Sequence, residues 1–357
     1  MKKFLAILFG LLLFAFNNAA FAADVDEMVG QMIILGFNGN SVKSKGFKTV
    51  LEQVEKGEIG GVIFFEDNIK DKEEFLKMTT ALKNSKAKYK PFIAIDMEGG
   101  SVLRMNENNG FKNFKSAKEV SKLTTKEAYK EYSDMADELA KMNINLNFAP
   151  CVDLAINKDS IIETKERSYS KVPKIVADYA KEFIKAFDDK KIATSIKHFP
   201  GHGSPTGDTH LGFVDTTNTY KDEELIPYME LANLKPTQTV MVSHLYNKNI
   251  DARFPASLSY NTIEKMLKIQ TDFKGVIVTD DLDMGAIKKN YELYEIVTLG
   301  INAGENILLF SNRANNDDKL AKKINLIVKN GLIEGTILPS NILESYKKII
   351  KLKKEII

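Results

Sequence analysis

The feature that most constrains the fold is a regular alternation of short apolar runs and longer amphipathic stretches. Each apolar run has the length and composition of a buried strand, and a stretch with helical spacing of apolar residues follows it. The eight runs lie at residues 31–36, 60–65, 91–96, 143–153, 192–198, 239–244, 275–280 and 306–310. Eight strands that alternate with helices are typical of a (β/α)8 barrel. The pattern predicts an α/β protein with a single TIM-type barrel, and a doubly wound open sheet is the alternative.

The helical stretches share an amphipathic pattern but differ in length. They are predicted at residues 43–56, 72–85, 172–190, 223–234, 262–273, 291–303, 317–329 and from 341 onward, with a long helical region that ends at Met142. No linker and no change of composition divides the chain after residue 22. Residues 23–357 are therefore expected to form one domain.

The charged residues of the chain nearly balance. The 357 residues include 50 Lys and Arg and 48 Asp and Glu, which gives a formal net charge of +2. No basic stripe or arginine-rich segment is present, so nucleic acid is not an expected partner. We expect the protein to be a monomer.

The first 22 residues have the three-part organisation of a secretory signal peptide. Two lysines precede the thirteen-residue, largely apolar run Phe4 to Phe16, and Ala20-Phe21-Ala22 forms a small-x-small cleavage signal. This run is short for a membrane anchor, which is the alternative, because a spanning helix needs roughly 20 apolar residues. We therefore expect cleavage after residue 22 or 23 and export to the periplasm or the extracellular space. The mature protein is expected to have no stable membrane insertion.

Cys151 is the single cysteine of the chain, so no intramolecular disulfide can form. It follows Phe148-Ala149-Pro150 in an apolar run. This setting indicates a buried structural residue rather than a nucleophile.

Charged and polar residues end five of the predicted strands. In a barrel, the carboxyl ends of the strands meet at one mouth, where active sites lie. One such residue could merely cap the next helix, but five strands that end in this way indicate a functional site. The residues are Asp96, Asp153, Lys197, His198, His244, Asp280 and Asp281.

Three of the four histidines lie in one stretch, K-H-F-P-G-H-G-S-P-T-G-D-T-H-L, from Lys197 to Leu211. Within it, Asp208 and His210 are two positions apart, and such residues project to the same side of an extended backbone. The carboxylate could fix the tautomer of the imidazole and favour its protonated form, as in catalytic dyads. The pair could deliver a proton to a leaving group. A surface loop whose Asp and His cap turns is the alternative.

The same loop offers four potential metal ligands, which are His198, His202, Asp208 and His210. However, Phe199-Pro200-Gly201 prevents a helix from placing the first two histidines on one face, and no HExxH pattern is present. The sequence therefore favours a site without a metal.

Carboxylates at the end of the seventh strand are candidates for a nucleophile. Strand alternation places Asp280 and Asp281 on opposite sides, so that only one of them can point into the mouth. The spacing does not determine which one, and Asp283 is a third candidate. A carboxylate here could attack an electrophilic carbon, as in retaining glycosidases.

Several strings in the chain resemble glycoside hydrolase family 3, and in particular its single-domain bacterial β-N-acetylglucosaminidases. They are K-H-F-P-G-H-G-S-P-T-G-D-T-H, I-D-M-E-G-G-S-V-L-R and V-I-V-T-D-D-L-D-M, with F-A-P-C-V-D-L, E-R-S-Y and P-A-S-L-S in the expected order. The long histidine-containing string is highly specific. The resemblance covers nearly all of the chain after the signal peptide.

The resemblance implies a (β/α)8 barrel and a retaining mechanism that needs no metal or organic cofactor. It implies that Asp280 is the nucleophile and that His210 is the general acid/base, with Asp208 as its partner. It further implies a first sugar subsite made of Asp96, Arg104, Arg167, Lys197 and His198. An ion pair between Arg104 and Glu98 is the alternative for that arginine, and Glu98 is expected to be a scaffold residue.

The chain also departs from the family pattern. Ser101 stands where many members have arginine, and residues 156–165 differ from the usual Asn- and Gly-rich loop. We expect no second domain of the kind that supplies a glutamate acid/base in many family 3 β-glucosidases. The resemblance thus implies an exported exo-β-N-acetylglucosaminidase that acts on carbohydrate, in peptidoglycan-type or chitin-type fragments. A β-glucosidase, an N-acetylglucosaminide phosphorylase and a catalytically silent sugar-binding barrel are the alternatives.

Overall fold

The computed structural model describes residues 25–235, 238–314 and 316–357. The predicted signal peptide, residues 1–22, lies outside these ranges. Within them, no helix combines the length and the apolar character that a membrane span requires.

Eight parallel strands form the central sheet, and each overlaps one of the predicted apolar runs. They are β1 Ile33–Leu35, β2 Gly61–Phe64, β3 Phe92–Ile95, β4 Leu146–Asn147, β5 Ala193–Phe199, β6 Gln238–Val242, β7 Val276–Thr279 and β8 Leu308–Phe310. Consecutive strands are neighbours, and β8 also pairs with β1. A parallel bridge between Val278 and Ile307 links β7 to the start of β8, so the ring is nearly closed. The predicted (β/α)8 barrel is confirmed, because a doubly wound sheet would reverse its strand order at a switch point.

Helices surround the barrel on its outer face. The longer ones are α1 Lys45–Glu55, α2 Lys72–Lys83, α3 Thr125–Lys141, α4 Pro173–Asp188, α5 Ile226–Leu231, α6 Asn261–Gln270, α7 Leu293–Ala303, α8 Leu320–Glu334 and α9 Pro339–Ile356. The hydrogen bonding of α6 is of the π type. Short helices lie at Ala117–Val120, Ile161–Thr164 and Gly285–Lys288, and 3-10 turns lie at Glu66–Asn68, Glu107–Asn109, Asp222–Leu225 and Ala256–Leu258.

The fourth strand is much shorter than its apolar run. Of residues 143–153, only Leu146–Asn147 pairs as a strand. Pro150 has no N–H to donate to a ladder, which ends regular pairing at this point. Cys151 still makes a single parallel bridge with Lys197, so the segment stays beside β5.

The long helical region expected before Met142 is wrong in its first part. Met97–Gly99 and Val102–Leu103 form an antiparallel hairpin instead. Gly99 has a φ of 101°, and a Cβ atom there would lie 2.1 Å from the carbonyl oxygen of Lys115. Only glycine fits such a turn. The hairpin carries Glu98 to the carboxyl end of the barrel.

The last helix, α9, covers the amino-terminal end of the barrel. Ile342 and Ile349 on this helix are buried. The Nζ atom of Lys353 donates to Gln31 Oε1 and to the carbonyl oxygen of Gly60, each at 2.7 Å. These two residues precede β1 and β2, so the helix is fixed at the end of the barrel that lies opposite the strands' carboxyl ends.

Candidate active site

The barrel brings the predicted site residues to the carboxyl ends of its strands. Asp96 directly follows β3, Lys197 and His198 lie in the last part of β5, and Asp280 directly follows β7. Because parallel strands of a barrel end at one rim, these residues surround a common mouth.

A cluster of alternating charges lines one side of the mouth. Lys197 Nζ lies 2.9 Å from Asp96 Oδ1 and 2.7 Å from Glu98 Oε1. Arg167 donates to both oxygens of Glu98, at 2.9 and 2.7 Å. These four side chains are buried or nearly so. The sequence had singled out all of them, but not the pairing that joins them.

The mutual pairing keeps every member of the cluster charged. Burial raises the pKa of Asp96, but the positive charges of Lys197 and Arg104 outweigh burial and lower this pKa. Burial likewise raises the pKa of Glu98, and Arg167 and Lys197 outweigh it and lower this pKa. Burial lowers the pKa values of Lys197 and Arg167, but the same carboxylates outweigh it and raise both. Such a set presents fixed donors and acceptors, which suits the hydroxyl groups of a sugar.

Arg104 belongs to the same cluster through Asp96. Its Nη2 atom lies 3.5 Å from Asp96 Oδ2. The alternative pairing with Glu98 is not found, because Arg167 and Lys197 occupy both oxygens of that carboxylate. Arg104 is partly exposed, so its guanidinium can reach a ligand in the mouth.

His198 contacts a carboxylate at one ring nitrogen and a guanidinium at the other. Its Nδ1 atom lies 2.6 Å from Asp153 Oδ2, and its Nε2 atom lies 3.2 Å from Arg167 Nη2. A guanidinium only donates and an ionised carboxylate only accepts, so the ring carries its hydrogen on Nδ1 and accepts at Nε2. Burial raises the pKa of Asp153, but His198 and the other donors outweigh it and leave the pKa at about 2.

Asp153 is a residue whose role the sequence did not give. Besides the ring of His198, it accepts the backbone N–H groups of His198 and His202. It therefore fixes both ends of the H-F-P-G-H segment. The only indication of a role for Asp153 in the sequence was its position at the end of the fourth apolar run.

Three potential metal ligands lie together in the same region. One ligand atom each of Cys151, Asp153 and His198 lies within 4.8 Å of the others. Of these three residues, only His198 is among the four potential ligands that the sequence indicated. The Sγ atom of Cys151 donates to Asp153 at 3.3 Å, and burial raises the pKa of this thiol well above its usual value. The groups thus satisfy one another, with the Arg167 cation adjacent, and a site without a metal stays our prediction.

Of the three carboxylates after β7, Asp280 is the one that lies among the histidines of the mouth. Its Oδ1 accepts the N–H of Asp281 at 2.8 Å. Burial raises the pKa of Asp280, but His198, His244 and His210 outweigh this effect and leave the pKa at about 2. The carboxylate is therefore ionised at neutral pH.

Asp281 and Asp283 turn instead to the loop after β8. Asp281 Oδ1 accepts the N–H groups of Ser311 and Asp283, and burial raises the pKa of Asp281 to about 6. Asp283 accepts the N–H of Asn312 and pairs with Lys288. Strand alternation left Asp280 and Asp281 open, with Asp283 as a third candidate. The geometry favours Asp280, and its role as the nucleophile stays a prediction.

Asp208 and His210 form a hydrogen-bonded pair on an exposed loop. Asp208 Oδ1 accepts from the backbone N–H of His210 at 2.9 Å and lies 2.7 Å from its Nδ1. Burial raises the pKa of Asp208, but the donors of His210 outweigh it and lower the pKa. The side chain of His210 is 65% exposed, so the ring is accessible to a ligand in the mouth.

The loop that bears this pair is attached at two points. At its start, Gly203 donates to the buried carboxylate of Glu224 at 2.8 Å. At the pair itself, the carbonyl oxygens of Thr209 and His210 accept from the N–H groups of Ala286 and Gly285, which follow β7. The second attachment brings the pair to the same side of the mouth as Asp280.

His202 is buried and directly precedes Gly203. Its ring makes an edge contact with His198 at 5.7 Å, and its Nδ1 atom is buried without a hydrogen-bond partner among the described residues. Burial lowers the pKa of His202 to about 4, so the ring is neutral.

Comparison with known proteins gives one protein family. The family model described as the glycosyl hydrolase family 3 N-terminal domain matches residues 24–352. "Beta-hexosaminidase A" of Pseudoalteromonas piscicida is 30% identical over 317 residues, which are 79% of this chain and 53% of that protein. The "Beta-hexosaminidase" of Photobacterium profundum is 31% identical over 245 residues, which are 65% of this chain and 69% of that protein.

Solved structures agree with these relatives. A family 3 β-N-acetylglucosaminidase from Paenibacillus superposes with a TM-score of 0.83 at 28% identity and covers 92% of this chain. This chain spans 62% of the Paenibacillus chain and about half of the P. piscicida protein. LpqI of Mycobacterium tuberculosis superposes with a TM-score of 0.80 at 26% identity, with 92% of this chain and 93% of that chain covered.

Proposed function

The chain belongs to glycoside hydrolase family 3, and from this membership we propose that it is a retaining exo-β-N-acetylglucosaminidase. It would remove terminal non-reducing N-acetylglucosamine from peptidoglycan-type or chitin-type fragments. The observation that carries the proposal is the arrangement of the mouth, where an ionised Asp280, the Asp208–His210 pair and the cluster of alternating charges lie together.

In the proposed reaction, an oxygen of Asp280 attacks the anomeric carbon while His210 protonates the departing glycosidic oxygen. The glycosyl-enzyme ester that forms is then hydrolysed by a water molecule, from which His210 removes a proton. Asp208 holds the hydrogen of His210 on Nδ1 and stabilises the ring when it is charged. Asp280 suits the first step because it is ionised over the whole neutral range.

The first sugar subsite would consist of Asp96, Arg104, Arg167, Lys197 and His198. Asp96 offers a carboxylate acceptor beside the donors of Lys197 and Arg104. Paired charges of this kind are held in place before a ligand arrives, which lowers the entropy cost of binding. The similarity to the Paenibacillus β-N-acetylglucosaminidase supports N-acetylglucosamine as the sugar.

The site of action would lie outside the cytoplasm. The sequence of residues 1–22 supports this part of the proposal, because it has the plan of a cleaved export signal. Fractionation of cells that produce the full chain tests it, and a product that keeps residues 1–22 in the cytoplasm would overturn it.

The activity is tested with p-nitrophenyl N-acetylglucosaminide and chitobiose, on the parent and on Asp280→Asn and His210→Ala. His210→Ala should lose about 10²–10⁴-fold on chitobiose, which is the range for general acid–base catalysis. Asp280→Asn should lose at least as much on both substrates, because it removes the nucleophile that forms the covalent intermediate. His210→Ala should lose less on the nitrophenyl substrate, because that leaving group needs less protonation. Proton NMR should show the β anomer as the first product.

Two controls separate the alternatives. Product formation with and without inorganic phosphate distinguishes hydrolysis from phosphorolysis. A parent that turns over neither substrate nor a muropeptide would overturn the proposed activity, and calorimetric binding of N-acetylglucosamine without turnover would indicate a silent sugar-binding barrel.

A further inference from the structure

His244 is a buried histidine to which the proposed reaction gives no part. It follows β6, and its side chain has no solvent exposure. Its Nε2 atom lies 2.9 Å from the carbonyl oxygen of Asp281, and its Nδ1 atom lies 2.7 Å from Ser257 Oγ.

The contacts of His244 determine its tautomer. A carbonyl oxygen only accepts, so Nε2 must carry a hydrogen. Burial lowers the pKa of His244, which favours the neutral ring and leaves Nδ1 as an acceptor for the hydroxyl of Ser257. Ser257 is itself fixed, because it is fully buried and its N–H donates to the carbonyl oxygen of Ser243.

His244 holds the carbonyl oxygen of Asp281, the residue whose N–H orients the candidate nucleophile. The N–H of Asp281 donates to Asp280 Oδ1, and the N–H of Asp280 donates to the carbonyl oxygen of Val242 in β6. Oδ1 is thereby fixed, while Oδ2 of Asp280 accepts no hydrogen bond from the described residues. Hydrogen bonds thus link Ser257 to His244 and His244 to the Asp281–Leu282 peptide. The adjacent Asp280–Asp281 peptide donates to one oxygen of Asp280, so a shift of the Asp281 backbone would move this donor.

We propose that His244, oriented by Ser257, is a positioning residue that sets the direction of the Asp280 carboxylate. This inference rests on the proposed function, since it takes Asp280 as the nucleophile. His244 would act through the backbone of Asp281 and would not touch the sugar. Its loss should therefore slow formation of the glycosyl-enzyme while sugar binding, which depends on the charged cluster, stays nearly unchanged.

The test uses His244→Leu, His244→Gln and Ser257→Ala, with Ser259→Ala as the matched control. Ser259 is an equally buried serine two positions away, but its hydroxyl bonds Asp251 and not His244. The main readout is the rate at which a 5-fluoro N-acetylglucosaminyl donor labels the protein, followed by intact mass. Calorimetric binding of N-acetylglucosamine and thermal unfolding are measured on the same samples.

We expect His244→Leu to slow labelling about 100-fold, the effect of roughly 1 Å of misplacement. His244→Gln keeps a donor toward Asp281 and should recover most of the rate. Ser257→Ala should lose roughly 5- to 10-fold, as for one hydrogen bond. Ser259→Ala should resemble the parent, and the dissociation constant for N-acetylglucosamine should change less than about 3-fold throughout.

Several results would overturn the proposal. These are equal labelling by His244→Leu and His244→Gln, equal effects at Ser257 and Ser259, or a loss of labelling matched by a loss of sugar binding. If His244→Leu does not fold, His244→Gln and the two serine variants still test the proposal. A parent that is neither labelled nor active on any β-N-acetylglucosaminide removes the proposed function and this inference together. A labelled parent with unaffected variants removes this inference alone.

Discussion

Glu98 joins two of the cations that we propose hold the sugar. It accepts from Arg167 and Lys197 at distances of 2.7 to 2.9 Å, and it comes from a hairpin rather than from a barrel strand. Its carboxylate is too fully occupied to act as a proton donor, and its lowered pKa agrees with a permanent charge. It acts through its neighbours, because it fixes the positions of the two cations.

Replacement of Glu98 by glutamine should therefore harm stability and sugar binding together. The amide removes a negative charge from between two buried cations, and the loss of one partner in a buried ion pair costs about 3–5 kcal/mol. Urea unfolding should show this loss, and KM for the nitrophenyl substrate should rise. Glu73→Gln is the matched control, since Glu73 pairs with Lys77 on the surface. Equal unfolding midpoints for the two variants would contradict the scaffold role.

The loop between β5 and α5 carries the acid/base pair, and its geometry depends on tight packing at its start. Gly203 lies directly against the backbone of Leu154, so that a Cβ atom there would be 2.0 Å from that carbonyl oxygen. Gly212, farther along the same loop, has open space where a Cβ atom would lie. The two glycines thus differ in packing although they lie in the same loop.

Gly203→Ala should displace the start of the loop and with it the Asp208–His210 pair. We expect kcat/KM for chitobiose to fall about 100-fold, as is usual for misplaced catalytic groups. Gly212→Ala should leave kcat/KM within about 3-fold of the parent, because side chains with free space are tolerated. Steady-state kinetics on both variants checks this. A larger loss at Gly212 than at Gly203 would show that packing at Leu154 does not control the loop.

For the molecule as a whole, the sequence predicted the barrel well because hydrophobic periodicity alone determines the order of strands and helices. It placed the polar residues at one mouth for the same reason. Strand alternation alone could not choose between Asp280 and Asp281, because the direction of each side chain depends on hydrogen bonds such as those from the loop after β8. Only the resemblance to the family implied Asp280. The sequence also did not predict the pairings of Glu98 with Arg167 or of Asp153 with His198, which join residues 69 and 45 positions apart. Contacts of this kind require the closed barrel.

Helix α9, which covers the amino-terminal end of the barrel, buries an amine whose charged form is unfavourable in the protein interior. Lys353 on α9 is buried against β1 and β2, with its Nζ atom 4.7 Å from the ring centre of Phe92. Burial lowers the pKa of Lys353 to about 7, from 10.5 in an unfolded chain. Between these two values the unfolded chain binds more protons than the folded protein. The free energy of unfolding therefore rises with pH over this window and is lowered as the pH falls toward 7.

Lys353→Met should remove this contribution, because methionine fills similar space without a titrating group. The difference between the free energy of unfolding of the variant and that of the parent should be largest near pH 7, where the variant gains most stability. This difference should become smaller toward pH 9. The decline is at most about 1.4 kcal/mol per pH unit. Urea unfolding at pH 7, 8 and 9 measures it, with Lys351→Met as the control, since Lys351 is exposed on the same helix. Parallel pH curves for Lys353→Met and the parent would show that the buried amine keeps its proton throughout, held by Gln31 and Gly60.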